Sequence, residues 1–441
     1  MRIATVIILS GLLGIPAVAA PAAQEPTPAA AAETDLQAFR RLRAEAVAAA
    51  GAEDLTTAAA RLAEADARIP DHAGLILLRA RVAALAGQDD EALAQVRRYA
   101  RGGLTLDLAR ERILSTLATA PGYAAAVEAL EANRVPVGGD RLSEVARIEG
   151  AVIAESLVRD ETRGRWLVSQ VRGRTIVALA DDGMMTDFLG ADPGIGGVLG
   201  MAVDARAGVL WAATSPLPPA VHGMDAGAAR PGPALLKIDL ASGAVLARFA
   251  PPAGPPERGL GDIVRAPDGM IYVADSTTGD ILALPPGGAA LGTLLPAGML
   301  GSPQGMAVTP DGAALIVADY SSGLWRVDRA TGAARRLSAP ADSSLVGVDG
   351  LATDGHAIYG FQNGVAPHRV LKLTPDAGWT SILAVEVLAA NLPMIDEPTT
   401  GLVRNGELVF VSRSQWSDFG DDGAQTTPTP PPAIIARLPL D

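Results

Sequence analysis

Two carboxylates at the starts of apolar runs are the residues of this sequence best placed to do chemistry. Glu155 precedes one such run and Asp349 another. If both runs are inner strands of one closed β architecture, the two carboxylates lie at the same end of its channel. Paired carboxylates in such a place either bind a cation or repel each other, and in both cases each perturbs the pKa of the other. The alternative is a solvated acidic rim, and both interpretations stay open at this stage.

Two further groups of polar and aromatic residues are candidates for ligand binding. The first lies around a turn between two apolar runs and comprises Gln362, Asn363, His368 and Arg369. A histidine can act as an acid or base near neutral pH and an arginine can hold a carboxylate, but such a group also suits a hydrogen-bonded turn. The second is the pair Gln415 and Trp416, which either faces a ligand at a strand end or serves packing.

Composition and missing motifs exclude several classes of function. The 441 residues include 49 acidic and 36 basic side chains, for a net charge of −13, which argues against a nucleic-acid-binding surface. There is no cysteine, so disulfides are excluded. No Gly-x-Ser-x-Gly elbow, phosphate loop or zinc signature occurs, and the four histidines lack ligand spacing. Nucleophilic and zinc chemistry are therefore not expected.

The N-terminal residues are typical of a secretory signal. Arg2 supplies a positive start, residues 5–15 an apolar run, and residues 17–19 the small side chains of a cleavage site. A membrane anchor is the alternative, but the run stops at Pro16 and falls short of the ~20 residues of a span. We expect a signal peptide over 1–23, a flexible linker over 24–34, and a periplasmic or secreted protein with no transmembrane segment after cleavage.

Residues 35–135 are expected to form a helical domain. Apolar residues recur three and four positions apart, and turns that contain glycine or proline separate the segments. A resemblance to tetratricopeptide repeats is clearest in the stretch ADARIPDHAGLILLRARVAALAGQDDEALAQVRRYA, and it implies a surface for a protein partner. The alternative is a short helical bundle that supports the next domain.

After Pro136 the pattern changes to short apolar strands separated by Gly, Pro and Asp turns. Five runs are alike, and they read GMAVDARAGVLWAAT, GDIVRAPDGMIYVAD, GMAVTPDGAALIVAD, GLATDGHAIYGF and GLVRNGELVFVS. With a divergent copy near Glu155, they predict a mainly β domain over 145–441, a six-bladed β-propeller. Residues 145–153 could add an outer strand to the last blade. A pair of β-sandwiches is the structural alternative.

These motifs carry a resemblance to a known group from about residue 148 onward. The region resembles the six-bladed propellers of the regucalcin (senescence marker protein), gluconolactonase, paraoxonase and strictosidine synthase type, with NHL-repeat character. The most distinctive pieces are AESLVRDETRGRWLVSQV, VDGLATDGHAIYGFQNGVAPHRVLKL and SRSQWSDFGDDG. The resemblance implies that Glu155 and Asp349 are metal ligands. It also implies that Asp349 is the general base of a lactonase.

The sequence departs from this family pattern at the amide ligands. Where the family usually supplies asparagines, this chain has Gly261 and Gln304. Gln304 retains a carbonyl oxygen, whereas Gly261 has no side chain to offer. Because calcium takes six to eight oxygens, we expect calcium or another divalent cation at a weakened site of Glu155, Gln304 and Asp349. The neighbouring Asp262 is expected to cap a turn beside the channel.

Three functions are carried forward. The first is an exported propeller that binds a small molecule in its channel, or a protein partner through the helices, and keeps a partial metal site. The alternative is a calcium-dependent lactonase or esterase of the gluconolactonase type, in which the metal polarises the carbonyl and Asp349 activates water. A sugar- or quinone-type oxidoreductase is a third, although no cofactor motif supports it. The helical domain is expected to dock on the propeller. Insertions at 216–233 and 421–432 are expected to be surface loops, either of which could cover the channel mouth.

Overall fold

A computed structural model describes residues 33–255 and 257–440. The predicted signal peptide and the predicted linker up to residue 32 lie outside these ranges. No helix in the described part of the chain is long and apolar enough to cross a membrane.

Helices occupy the first part of the described chain. They are α1 (Asp35–Gly51), α2 (Leu55–Arg68), α3 (Ala73–Leu85), α4 (Asp89–Arg101) and α5 (Tyr123–Glu131). Side-chain caps define two of the starts: Asp54 accepts the Thr57 N–H at 3.0 Å, and His72 accepts the Leu75 N–H at 3.2 Å. The helices α1 and α2 pack as a pair, as do α3 and α4. Such pairs suit both a repeat array and a bundle, so the tetratricopeptide resemblance stays a prediction.

Six four-stranded antiparallel sheets follow the helices, which confirms the predicted mainly β, six-bladed propeller. Blade one contains β2 (Ala154–Asp160), β3 (Arg165–Gln170), β4 (Thr175–Ala180) and β5 (Met185–Leu189), and blade two contains β6 (Gly197–Asp204), β7 (Val209–Ser215), β8 (Ala234–Asp239) and β9 (Val245–Phe249). Blade three contains β10 (Leu260–Arg265), β11 (Ile271–Asp275), β12 (Asp280–Leu284) and β13 (Gly292–Leu295), and blade four contains β14 (Pro303–Val308), β15 (Ala314–Asp319), β16 (Gly323–Asp328) and β17 (Ala334–Arg336). Blade five contains β18 (Val348–Thr353), β19 (Ile358–Gln362), β20 (Arg369–Pro375) and β21 (Ile382–Ala390), and blade six contains β22 (Gly401–Arg404), β23 (Glu407–Arg413), β24 (Ala433–Pro439) and β1 (Ser143–Ile148).

The ring is closed by a strand from the start of the propeller sequence. Strand β1 pairs antiparallel with β24, with Arg147 opposite Ile434, and becomes the outermost strand of blade six. This confirms the outer strand predicted over 145–153, although it ends at Ile148 and residues 149–153 lead into blade one. Pairing the first strand with the last blade leaves no open edge between them.

Most of the innermost strands carry a β-bulge near their starts. In blade one, Ala154 pairs with Gln170 and Leu157 with Val168, so Glu155 and Ser156 together oppose Ser169. The same two-against-one arrangement occurs in β6, β10, β14 and β18. A bulge re-aims the side chains of its residues. The first residues of the bulges, together with the matching residue of blade six, form one ring, which we call the ring positions: Glu155, Leu199, Gly261, Gln304, Asp349 and Thr400. Glu155, Leu199, Gln304 and Asp349 of this ring line the channel mouth, the end of the channel at which the inner strands begin.

The helices pack on the propeller, as expected, and residues from Asp35 onward form one compact unit. Apolar residues of α1 and α2, such as Phe39 and Leu62, belong to the same buried cluster as Tyr272 and Trp325 of blades three and four. Those of α3, α4 and α5 form a second cluster with Val346, which precedes blade five.

The connection between helices and sheets is also bonded to the propeller. Val137 exchanges backbone hydrogen bonds with Ala390 at 3.0 and 3.2 Å. Asn391 donates to the carbonyls of Asn133 and Val135 at 2.9 and 3.1 Å. Because these bonds tie the short connection to β21, the two parts are held together by more than the apolar clusters.

Candidate functional site at the channel mouth

The channel mouth is a cavity of ≈ 280 Å³. Its lining residues are Glu155, Leu199, Leu217, Ser276, Gln304, Tyr320, Asp349, Asn363, Glu397 and Trp416. The structure therefore brings together the three residues predicted as metal ligands. It adds Asn363 and Trp416 from the set predicted to bind a ligand.

Glu155 is held in place by blade six. Trp416 donates its Nε1–H to Oε2 of Glu155 at 2.6 Å. The backbone carbonyl of Glu155 accepts hydrogen bonds from the hydroxyls of Thr399 and Thr400 at 2.6 and 3.1 Å. Burial, followed by the negative charge of Asp349, raises the pKa of Glu155 well above its usual value. Hydrogen bonds thus position the carboxylate, and burial disfavours its charged form.

Asp349 is in a similar state. Asn363 donates its Nδ2–H to Oδ2 of Asp349 at 2.7 Å. Burial, followed by the nearby carboxylates of Asp262 and Glu397, raises the pKa of Asp349 to about 8. One oxygen is fixed by the amide, which leaves Oδ1 available to a cation or a water molecule.

Gln304 lines the mouth from the start of blade four. Its Nε2–H donates to the hydroxyl of Ser302 at 3.1 Å, which orients the amide. A Cβ built on Gly261 would lie 3.7 Å from Oε1 of Gln304. Gly261 and Gln304 therefore hold neighbouring ring positions, and the missing side chain of Gly261 leaves a gap beside the amide oxygen.

Two oxygens at the mouth are buried without a partner. Within the described part of the chain, neither Oδ1 of Asn363 nor Oε2 of Glu397 has a hydrogen-bond donor. An unsatisfied buried acceptor costs ~1–3 kcal/mol, so such groups call for a missing partner. Both residues line a cavity that also contains Glu155 and Asp349, and a cation is a partner that suits oxygen acceptors in such surroundings.

Carboxylates alone do not complete a metal site here. Among the described residues, no three His, Cys, Asp or Glu side chains lie close enough together to hold an ion. Any bound cation must therefore take oxygens from amides as well as from Glu155 and Asp349. The amides of Gln304 and Asn363 are at hand for this.

Four residues predicted to bind a ligand do not line the mouth: Gln362, His368, Arg369 and Gln415. Gln362 donates to the carbonyls of Ser344 and Val346 at 2.9 and 2.7 Å and accepts from Nε of Arg369 at 2.6 Å. Nη1 of Arg369 donates to the carbonyls of Gly102 and Gly103 at 3.0 and 3.2 Å. These two side chains are buried and fasten the helices to blade five.

The other two side chains also bond to the protein. Nδ1 of His368 accepts the backbone N–H of Glu397 at 2.9 Å, so this histidine lies behind the mouth. Oε1 of Gln415 accepts the N–H groups of Val152 and Ile153 at 2.9 and 3.0 Å. Gln415 thereby joins blade six to blade one.

Several lining residues escaped the sequence reasoning. Ser276 and Tyr320 each directly follow the second strand of a blade, which is also the position of the predicted residue Asn363. Aligning the repeats at that position would therefore have identified Ser276 and Tyr320. Glu397 has no counterpart in the other blades, which explains why no repeat marked it. Leu217 belongs to the first predicted insertion and packs with Leu199 beside the mouth, as that insertion was expected to do.

Asp262 differs from its expected role as a turn cap. It is the second residue of the bulge in β10, is 8% exposed, and forms no hydrogen bond with the described residues. Burial raises the pKa of Asp262 to about 7. Asp262 lines a second cavity at the opposite end of the channel.

The chain is similar to known proteins among solved structures, and not among family models or curated sequences. No family model and no curated protein sequence matches the chain. Among solved structures, a gluconolactonase from Xanthomonas campestris is 18% identical, with 69% of this chain and 91% of that chain covered and a TM-score of 0.47. A calcium-binding regucalcin from Agrobacterium tumefaciens is 16% identical, with 67% and 94% covered and a TM-score of 0.46. The six-bladed propeller that the resemblance implied is confirmed by the six four-stranded sheets of the structure.

A third similar structure has a different activity. It is an aldose sugar dehydrogenase from Streptomyces coelicolor in its PQQ-bound form, 16% identical, with 67% of this chain and 97% of that chain covered and a TM-score of 0.45. A fold does not determine a function, so the function is argued from the residues of the channel mouth.

Proposed function

We propose that the channel mouth binds a divalent cation, calcium in particular, and that the protein hydrolyses lactones or related esters there. One observation carries the proposal: Glu155 and Asp349 line one cavity together with the amide-bearing residues Gln304 and Asn363. Calcium prefers such a mixture of carboxylate and carbonyl oxygens. The two buried oxygens without a hydrogen-bond donor support the proposal, because a cation would give such acceptors a partner.

Residues of the mouth suit ester hydrolysis as well as binding. A bound cation would polarise the ester carbonyl and stabilise the charge that develops on its oxygen. Asp349 is the group placed to accept a proton from a water molecule as the water oxygen attacks the carbonyl carbon. The carbon–oxygen bond of the ester then breaks, and Asp349 returns the proton to the departing alkoxide. Asn363 orients Asp349, and Trp416 orients Glu155.

The test combines cation binding with turnover. Purified protein is stripped with chelator, titrated with calcium, magnesium and manganese in a calorimeter, and assayed with a panel of five- and six-membered lactones and aryl esters. We expect about one ion bound per chain and cation-dependent hydrolysis of at least one substrate. Absence of both binding and turnover would contradict the proposal.

A second candidate is a propeller that holds a small molecule without reaction. Gly261 and Leu199 favour this candidate. These two of the six ring positions offer no side-chain oxygen to a catalytic cation. In the calorimetric experiment, this candidate predicts cation binding without turnover on any substrate.

Export and a protein partner remain part of the proposal. A periplasmic or secreted location rests on the N-terminal sequence, and the partner rests on the tetratricopeptide resemblance. Fractionation of cells that express the full chain, with N-terminal sequencing of the product, tests export. A helical segment that serves only to brace the propeller would bind no partner.

A further inference from the structure

The end of the channel opposite the mouth contains a second cavity, of ≈ 420 Å³. Its walls come from the inner strands of all six blades, and its apolar lining includes Leu157, Met201, Ile263, Met306, Leu351 and Leu402. This volume lies in the range of ~300–1,000 Å³ typical of small-molecule sites. The cavity is distinct from the mouth, whose lining residues it does not share.

One carboxylate stands in this apolar lining. Of the described residues that line the cavity, only Asp262 and Arg265 carry a charge. Arg265 forms an ion pair with Asp204 at 2.9 Å, so its charge is already matched. Asp262 has neither a hydrogen bond nor an ion pair with any described residue, although it is 8% exposed.

The position of Asp262 makes this carboxylate costly for the fold. The matching second residues of the other inner strands are Ser156, Gly200, Gly305, Gly350 and Gly401. Glycine is required at most of them because a Cβ would lie 2.6 Å from backbone of the next blade at Gly200, 2.4 Å at Gly305 and 2.1 Å at Gly350. Blade three alone places an acidic side chain here. Asp262 departs from the small residues at the matching positions and forms no hydrogen bond within the described part of the chain. Such a departure without a structural gain points to a function.

We infer that this cavity binds an apolar molecule that carries a single protonated amine, with the ammonium group on Asp262 and the apolar body along the channel wall. The charges favour a cation over an anion, because Asp262 is the acidic residue of the lining and Arg265, the basic one, is already paired with Asp204. Buried ammonium and carboxylate groups stabilise each other when they are directly hydrogen-bonded. The apolar wall would stabilise the complex further, because the hydrocarbon part of the ligand is removed from water when it packs there.

Three six-carbon probes test the inference: hexylamine, hexanol and hexanoate. Calorimetric titration of the full protein at pH 8 is expected to show binding of hexylamine, with hexanol at least ~10-fold weaker and hexanoate weaker still, since a hydrogen bond to a charged group contributes that much. Equal binding of the amine and the alcohol would overturn the inference.

Variants locate the amine. Asp262→Asn keeps the shape of the side chain and should weaken hexylamine binding at least ~10-fold while hexanol binding is unchanged. Asp262→Gly, which copies the matching residue of four other blades, is the second variant should the amide disturb folding. Asp187→Asn, on the exposed outer strand of blade one, makes the same charge change elsewhere and should have no effect.

The outcome is separable from cation binding at the mouth. Hexylamine binding should persist in Asp349→Asn and in the presence of millimolar calcium. Loss of hexylamine binding in Asp349→Asn but not in Asp262→Asn would place the amine at the mouth and overturn the inference. Failure of the protein to bind calcium would leave the inference untouched.

Discussion

Nε1 of Trp416 lies 2.6 Å from Oε2 of Glu155, although the two residues are 261 positions apart in the chain. Blade six thereby orients a carboxylate of blade one. The same two blades are joined by β1 and by Gln415. Contacts between the blades that close the propeller ring therefore also position a carboxylate of the channel mouth, and a site at the mouth should weaken when the contacts between these two blades are lost.

Trp416→Phe tests this coupling. Phenylalanine keeps an aromatic ring beside the mouth but cannot donate to Glu155, so the charged form of the carboxylate loses a stabilising bond and the pKa of Glu155 should rise further. We expect calcium affinity to fall ~5- to 10-fold, with the pH dependence of binding shifted to higher pH. A variant with unchanged affinity and an unchanged pH profile would show that Trp416 only packs.

Gly261→Asn should strengthen the cation site. A Cβ at this position meets no heavy atom closer than 3.7 Å, and the new amide oxygen would stand next to that of Gln304. One more oxygen ligand is expected to raise calcium affinity on the order of 10-fold. The matched control is Gly350→Asn, in which the Cβ would lie 2.1 Å from the carbonyl oxygen of Thr399 and should destabilise the fold. Calorimetry and thermal unfolding distinguish the two effects.

Stability without cations should fall as the pH rises. The unfolded chain loses the protons of Asp262 and Asp349 near pH 4, whereas burial keeps them in the folded chain up to about 7 and about 8. The folded state therefore binds more protons between these limits, and the free energy of unfolding decreases with pH across that window. Asp262 accounts for up to ~4 kcal/mol of the decrease. Urea unfolding in chelator at pH 5, 6.5 and 8 measures it, and Asp262→Asn should have a flatter profile than the wild type.

Arg369→Ala should loosen the helices from the propeller. The substitution leaves the carbonyls of Gly102 and Gly103 and the amide oxygen of Gln362 without their donor, at a cost of about 2–4 kcal/mol. Arg101→Ala is the matched control, because Arg101 and Asp342 form an exposed pair across the same interface and should contribute less than ~1 kcal/mol. Limited proteolysis at residues 136–140 should be faster in Arg369→Ala alone. Equal rates would mean that the apolar clusters suffice.

The sequence was sufficient to predict the fold because each blade repeats the same local pattern. Apolar runs separated by Gly and Asp turns predicted the strands, and the strand that closes the ring was visible as an apolar run before Glu155. The resemblance supplied Glu155 and Asp349, and the ring positions of the structure bring these two together with Gln304. Each of these patterns lies within the sequence of one blade, so it can be recognised without knowledge of contacts between blades.

Contacts between distant segments were not predictable in the same way. Gln362 and Arg369 have the chemistry of a binding site, yet their partners are the carbonyls of a loop that precedes them and of the end of α4. Glu397 enters the mouth from an irregular connection that has no repeat. In both cases tertiary packing decides whether a polar side chain lines a binding site or bonds to other parts of the protein. The sequence pattern of a single blade does not encode this packing.

Calcium titration of the chelator-treated wild type, Asp349→Asn and Asp187→Asn in a calorimeter tests the central claim most directly. Asp349→Asn removes one of the two carboxylates of the mouth at nearly constant volume, whereas Asp187→Asn removes the same charge from an exposed outer strand. The account predicts about one calcium ion per chain in the wild type and in Asp187→Asn, with affinity at least ~10-fold lower in Asp349→Asn. No calcium binding in the wild type, or equal affinity in all three proteins, would contradict it.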